Sequence, residues 1–368
     1  MNTSLTVDRH TNIMTFIPEE FIPLSFDDFV AAERAGDRAY NVRAVTSEVQ
    51  YVADGMSSFD RRKQVVDLPI NFNRHIPIYA LVEGGWLPLR FVDPPYLYLD
   101  RNVVGSIQQI AKGNSRAIYS DTKYWLEMLD REDLIVSPFL YAFESNQMTA
   151  PDLDQFIAGY EEAVQIIGKL FSKAQVPVYD DEGYKVLYGF VEDVLAQSEQ
   201  ETLYLLAAVP LIRQSVAPRQ RFQIAMKLFE LGASLGIKFH SLPFIATLSC
   251  LYEDYAVTGY NAARDMLKIK GGDYSRARAY NALSDMRGLV VYLAFRAINK
   301  QNGDLPFAYC TGDKAALLFG CGYNGFGESF RNNQLYLSFN LSGPLFPNIP
   351  EDERLKLFER IASASDNE

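Results

Sequence analysis

Cysteine and histidine are both scarce, with three of each among 368 residues. Cys250, Cys310 and Cys321 are too few and too scattered for a disulfide framework or a Cys-x-x-Cys zinc site. His10, His75 and His240 share no metal-binding motif, and Cys310 has no evident histidine base for nucleophilic chemistry. So little thiol chemistry points to reducing, cytoplasmic surroundings. Long apolar runs are missing as well. The longest, "GLVVYLAF" from Gly288 and "YLLAAVPLI" from Tyr204, fall far short of the roughly 20 residues that span a bilayer. The opening "MNTSLTVDRHTNIM" has no basic start followed by an apolar stretch, so neither a signal peptide nor a membrane partner is expected. Positive charge is also in deficit. Lys and Arg total 35 against 46 Asp and Glu, a net charge of −11. That excludes coating of nucleic acid by bulk charge and leaves room only for a local basic patch. No fixed-period repeat is found, which argues against a solenoid.

What is present is core material. Apolar residues make up 48% of the chain and charged residues 22%, an ordinary globular balance. The length suits about two domains. Residues 1–93 read as a mixed α/β unit. "FDDFVAAERAG" from Phe26 has helical spacing up to Gly36, and "HIPIYALVEGGWLPLRFV" reads as two strands joined at Gly84-Gly85. "DPP" at 93–95 then breaks regular structure. In the unit that follows, 94–349, "YLYLDRNVVGSI" is a buried strand ending in Asp100, with a helix running on to Gly113. Leu134-Ile135-Val136 is a second strand. Ser137 and Pro138 then suit the start of a helix that carries Glu144 about two turns in. From Thr149 to about Asn302 the spacing is helical almost throughout. "LPFAYCTGDKAALLFG" returns to strand and helix, and "QLYLSFNL" alternates as a half-buried strand. Residues 350–368 form a charged tail with one short helix, "DERLKLFERIA". Strand and helix in alternation predict a parallel sheet with helices packed on it.

Four carboxylates occupy similar settings in this pattern. Asp100 and Asp313 lie just past apolar strands, where side chains of an open parallel sheet converge on one crevice. Glu144 and Asp285 lie on helices flanking the same edge. Each has a plainer reading: a helix cap for Asp100, a turn or cap for Asp313, a solvated helix position for Glu144. Asp285 is harder to set aside, because Leu283, Met286, Leu289 and Val290 surround it and a lone buried carboxylate is costly. Carboxylates gathered together repel one another unless a cation neutralises them. A cluster of oxygen ligands suits Mg²⁺ or Mn²⁺, and a pair of such ions serves phosphodiester cleavage.

In order and setting, "YLYLDRNVV", "SPFLYAFES", "YNALSDMRGL" and "AYCTGDKAALL" resemble the PIN-domain nucleases. The first motif of that family is a strand ending in Asp, then a variable residue, then Asn, here Asp100 and Asn102. The last is Thr or Ser, any residue, Asp, here Thr311 and Asp313. The resemblance implies a three-layer α/β/α fold with a central parallel sheet. It also implies Asp100, Glu144, Asp285 and Asp313 as ligands of catalytic Mg²⁺ or Mn²⁺, Asn102 and Thr311 as orienting groups, and hydrolysis of RNA. Two departures stand out. Arg101 puts a bulky cation inside the first motif, where it can pair with an acid or with phosphate. The stretch between Glu144 and Asp285 is long, which implies a helical insertion over about 150–260. A nuclease of this kind needs control. The analogy extends to a toxin or antiphage effector, restrained by an inhibitor protein or by homo-oligomerisation through the N-terminal unit or the insertion. A degenerate PIN-like scaffold and a nuclease for single-stranded DNA are the alternatives.

Two further stretches have more than one reading. "ARDMLKIKGGDYSRARAY" concentrates Lys268, Lys270 and Arg276 in an acidic chain, as either a phosphate-tracking face or a solvated helix face. "GCGYNGFG" contains Gly-x-Gly-x-x-Gly but follows a helix-like segment, so a loop is the better reading than a dinucleotide fingerprint.

Overall fold

The computed structural model describes residues 4–9, 12–35, 39–53, 56–71, 78–114, 116–144, 149–253, 261–302, 306–323, 328–331, 334–337, 341 and 343–365. His10, His75 and the end of the glycine-rich "GCGYNGFG" lie outside them, as do residues 338–340 of the strand expected over "QLYLSFNL". The fold is mixed α/β with several sheets.

Two antiparallel sheets come from the first part of the chain. One has the order Leu5–Arg9, Asn12–Phe16, Val49–Ala53, Met56–Asp60. The other joins Glu20–Ile22, Ala39–Thr46 and Gln64–Asn71. Helix Phe26–Ala35 follows the expected spacing and buries Phe29 completely. The hairpin read at Gly84-Gly85 forms, with strands Tyr79–Val82 and Gly85–Pro88. Gly85 is needed there for a steric reason. A Cβ at this position would stand 2.2 Å from the Leu24 carbonyl oxygen, because Leu24 and Trp86 exchange backbone hydrogen bonds of 2.8 and 2.9 Å. Trp86 anchors the region, with the rings of Phe29, Tyr40 and Tyr79 packed edge-on around it.

The sheet that matters most for function has five strands in the order Ile135–Ser137, Tyr96–Leu99, Phe307–Thr311, Tyr79–Val82, Gly85–Pro88. The first three are parallel, with Tyr96 level with both Ile135 and Phe307. The last two are the antiparallel hairpin, so the sheet crosses the sequence boundary drawn at Asp93. Leu97 and Leu99 are fully buried, and every residue of Phe307–Thr311 is buried, which accounts for their apolar runs. Because these strands are parallel, their carboxyl ends open on the same edge. Helix Arg101–Ala111 leaves that edge directly after Asp100, and helix Lys314–Tyr323 leaves it directly after Asp313.

Helices fill most of 150–302. They span Leu153–Ile167, Asp181–Leu195, Ser198–Ile212, Pro218–Ser234, Leu242–Tyr252 and Ala262–Met266. Asp152 starts the first with a capping box shared with Gln155. All residues of Leu242–Tyr252 are buried, as expected for a helix apolar on all sides. Helix Arg276–Asn302 then passes close to the central sheet. A Cβ at Gly288 would stand 3.1 Å from the Tyr309 hydroxyl, so glycine permits this approach. The tail helix forms over Glu351–Ser365. Among the described residues, no helix is long and apolar enough to cross a membrane.

Candidate functional site

Asp100 lies where the central strand becomes a helix, and it is only 3% exposed. Its Oδ1 accepts from the Val103 backbone N–H at 2.8 Å, so it does cap the helix. Its carboxyl also bonds the Thr311 hydroxyl. Burial pushes its pKa up to about 7; these two bonds oppose that rise, and the nearby charges of Asp285 and Asp313 add to it. A cap alone would not feel two other acids. Capping and membership of an acid cluster therefore coexist at this residue.

Glu144 arrives differently from the sequence expectation. The helix that was to carry it through two turns is only Phe139–Phe143, all five residues buried, and Glu144 terminates it. The Arg101 guanidinium donates to the Glu144 carbonyl oxygen and lies 4.9 Å from the centre of the Tyr141 ring. Burial holds the Glu144 carboxyl well above the usual range. Asp100, Asp285 and Asp313 raise it further, against the opposing charge of Arg101.

Asp313 caps helix Lys314–Tyr323. Its Oδ1 accepts from the backbone of Ala315 at 2.7 Å and Ala316 at 3.2 Å, and its own N–H donates to Thr311 Oγ1 at 2.9 Å. Asp285 faces it from helix Arg276–Asn302. Between them stands Lys268, with Nζ 2.6 Å from Asp285 Oδ2 and 2.9 Å from Asp313 Oδ2. Burial tends to raise the Asp313 pKa, but Lys268 and the backbone donors outweigh it and hold the carboxyl below its ordinary value. For Asp285 burial wins over Lys268, and its pKa rises to about 6.

The four acids singled out by sequence are thus within electrostatic reach of one another. Among the described residues, however, no group of three or more His, Cys, Asp or Glu side chains stands ready-made to hold a metal ion. Where two of the acids do converge, they converge on an ammonium.

The other sequence candidates divide. Thr311 is fully buried and ties Asp100 to Asp313. Arg101 braces Glu144 through its backbone. Asn102 sits in the first turn of its helix and is exposed. Lys268 corrects the phosphate-tracking face, because its side chain turns inward to the acids. Lys270 is exposed, and Arg276 is exposed and paired with Glu199. Sequence reading missed Tyr309. It is 2% exposed, its hydroxyl bonds Thr311, and the charges of Asp100, Glu144 and Asp285 raise its pKa, adding to the larger effect of burial. The signal was available: Tyr309 and Thr311 are two apart on one strand and share a face.

A cavity of about 610 Å³ is lined by Thr149, Ser198, Gln200, Arg276 and Tyr280 among others. None of the four acids lines it, but Tyr280 on its wall feels the charges of both Glu144 and Arg101. A second cavity, of about 630 Å³, is lined by Phe21, Phe91, Pro94 and Phe307. Pro94 and Phe307 are at the amino ends of the parallel strands, so that cavity lies away from the acids. In open α/β sheets ligands bind at the carboxyl ends, which favours the first.

Comparison with known proteins returns no match: no family model, no curated protein and no solved structure is significantly similar to this chain.

Proposed function

We propose that this chain is a PIN-like, metal-dependent endoribonuclease whose centre is Asp100, Glu144, Asp285 and Asp313. The observation that carries this reading is the gathering of four carboxylates at the carboxyl ends of two parallel strands, where two of them already grip a cation. The donor set fits Mg²⁺ or Mn²⁺. It is all oxygen, it carries more negative charge than Lys268 balances, and its Asp285–Asp313 seat accepts a positive group. When bound, such ions activate water and stabilise the departing oxygen of a phosphodiester.

The chain's own residues supply the rest. Thr311 holds Asp100 and Asp313 in register. Arg101 fixes the end of the short helix that presents Glu144. Tyr309 closes the floor of the site against the sheet. The cavity walled by Arg276, Glu199, Gln200 and the Tyr280 ring has the volume to take one unpaired nucleotide of an RNA strand, with the ring as a stacking surface. A cytoplasmic toxin or antiphage effector, controlled by an inhibitor protein or by self-association, is the biological setting this reading suggests.

One observation favours a second reading. A cation seat filled by the chain's own Lys268 suits a catalytically silent PIN-like scaffold. Incubating RNA and single-stranded DNA with the wild type, Asp100→Asn and Asp285→Asn in Mg²⁺ or Mn²⁺ separates the two. The nuclease reading expects cleavage by the wild type alone. Absence of any cleavage leaves the scaffold, and preference for DNA reassigns the substrate.

A further inference from the structure

Lys268 is built into the acid cluster in a way that a surface ion pair is not. Its Nζ lies between two carboxylate oxygens, at 2.6 and 2.9 Å, and its side chain is about a quarter exposed, as are theirs. Its backbone ends the helix Ala262–Met266 as a left-handed cap: the Lys268 N–H donates to the Asp265 carbonyl at 3.0 Å and the Ile269 N–H to the Arg264 carbonyl at 3.1 Å. Lys268 has φ +56°, and among the described residues it is the one non-glycine with positive φ. An L-residue in that region is disfavoured by roughly 1–2 kcal/mol, a cost that the two capping hydrogen bonds offset. Lys268 belongs to no helix or strand. It follows the short helix Ala262–Met266 and precedes a turn at Gly271-Gly272, with Gly272 at φ +86°. The ammonium is thus carried by four rotatable bonds on a turn, while Asp285 and Asp313 are carried by helices. One side of the pair can leave and the other is fixed.

The charges argue the same way. Among the described residues the Lys268 ammonium bonds Asp285 and Asp313, and with Arg101 beside Glu144 two positive charges face four acids. A divalent ion at the same seat would bring twice the charge. An ammonium and a divalent ion cannot share that seat, because like charges a few ångströms apart inside a protein repel strongly.

We infer that Lys268 is a built-in placeholder cation, seated between Asp285 and Asp313 in the metal-free chain and displaced when Mg²⁺ or Mn²⁺ binds there. This rests on the metal-site reading above and adds that metal affinity is set by competition with the chain's own lysine. Lysine withdrawal would accompany loading, and any partner or substrate that draws Lys268 away would favour the loaded state.

Mn²⁺ binding to the full-length chain, stripped with EDTA and titrated calorimetrically, tests it with no recourse to activity. The variants are Lys268→Met, Lys268→Gly (which accepts the positive φ) and Asp285→Asn. Competition predicts Mn²⁺ binding at least roughly tenfold tighter in both Lys268 variants than in wild type, and weaker binding in Asp285→Asn. Equal or weaker binding in the Lys268 variants overturns the inference and leaves the metal site standing. No Mn²⁺ binding by any folded form overturns both. Should Lys268→Met fail to fold without metal, circular dichroism during Mn²⁺ addition becomes its readout. Recovery of structure supports competition; no recovery, with Lys268→Gly binding no tighter than wild type, sinks it.

Discussion

Asp285 and Asp313 meet burial with a shared countercharge, whereas Asp100 meets it with two hydrogen bonds, Glu144 with the opposing charge of Arg101 alone, and both with a raised pKa. The first pair shares Lys268. In the second pair, Val103 and Thr311 bond Asp100, and the charge of Arg101 acts on Glu144. Both pairs open on one sheet edge, so they differ in compensation and not in location. The difference teaches that the cluster is half neutralised. One half is an occupied cation seat, and the other half keeps carboxyls that ionise with difficulty until more positive charge arrives. A site evolved only for packing would have little reason to leave that second half unpaired, since unpaired buried charge is costly.

Removing the countercharge should produce the largest loss of stability. Lys268→Met in metal-free buffer leaves Asp285 and Asp313 facing each other. Breaking a buried pair costs about 3–5 kcal/mol; with a quarter of each side chain exposed, a loss of about 2–3 kcal/mol is expected. Urea denaturation monitored by circular dichroism measures it. A loss under about 0.5 kcal/mol would mean that the two halves are not compensated differently after all.

The uncompensated half should announce itself through pH. Asp100 is raised from 3.8 to about 7 in the folded chain. Between these values the folded state holds a proton that the unfolded state has released, so stability contributed by Asp100 is full below about pH 4 and is lost as pH rises to about 7. Asp313, held below its ordinary value, does the reverse: its contribution is present at neutral pH and lost on acidification. Asp100→Asn keeps an acceptor for Val103 and a group able to bond Thr311 while removing the charge. It should match wild type near pH 4 and exceed it at pH 8 by on the order of 4 kcal/mol, from a rise of about three pH units at about 1.4 kcal/mol each. Thermal melts across that range decide it. A variant less stable than wild type at pH 8 would place Asp100 with the compensated pair.

Much of this arrangement was legible before any coordinates. The strand ending in Asp100, the glycine hairpin at Gly84-Gly85 and the helix after Asp313 follow from alternation, turn chemistry and capping, all of which are local. What escaped was set by tertiary context. The helix before Glu144 stops after one turn although nothing in "FLYAFES" forbids a longer one. Lys268 groups with Lys270 and Arg276 in the sequence because a local basic excess in an acidic chain reads as either a phosphate-tracking or a solvated face. A single left-handed residue sends its side chain inward, and no composition window reports a φ angle. Tyr309 was overlooked because an apolar strand hides a phenol whose hydroxyl lies at the site.

Tyr309 gives the next smaller test. Tyr309→Phe keeps the ring and deletes the hydroxyl that shares Thr311 with Asp100. About 1 kcal/mol of stability should be lost, the ordinary worth of one buried hydrogen bond. The pH dependence contributed by Asp100 should also shift, because Thr311 is freed to bond Asp100 alone. A stability loss with an unaltered pH profile would confine Tyr309 to packing.

The smallest effect on the fold should come from Arg276, which like Lys270 stays outside. It and Glu199 are each about 60% exposed, so their ion pair is screened and Arg276→Ala should change stability by no more than about 0.5 kcal/mol. Its position on the wall of the cavity gives it another role. If the cavity takes a nucleotide, Arg276→Ala should weaken binding of a short single-stranded RNA several-fold at low salt, measured in Ca²⁺ by fluorescence anisotropy. It should also lower the slope of log affinity against log salt by about 0.7, the share of one phosphate contact. Lys268→Met should leave that slope unchanged, because Lys268 faces carboxylates and not the cavity. Equal slopes for all three proteins would remove Arg276 from the binding surface. A slope lowered by Lys268→Met alone would reverse the comparison, making the inward lysine the phosphate contact and the outward arginine a bystander.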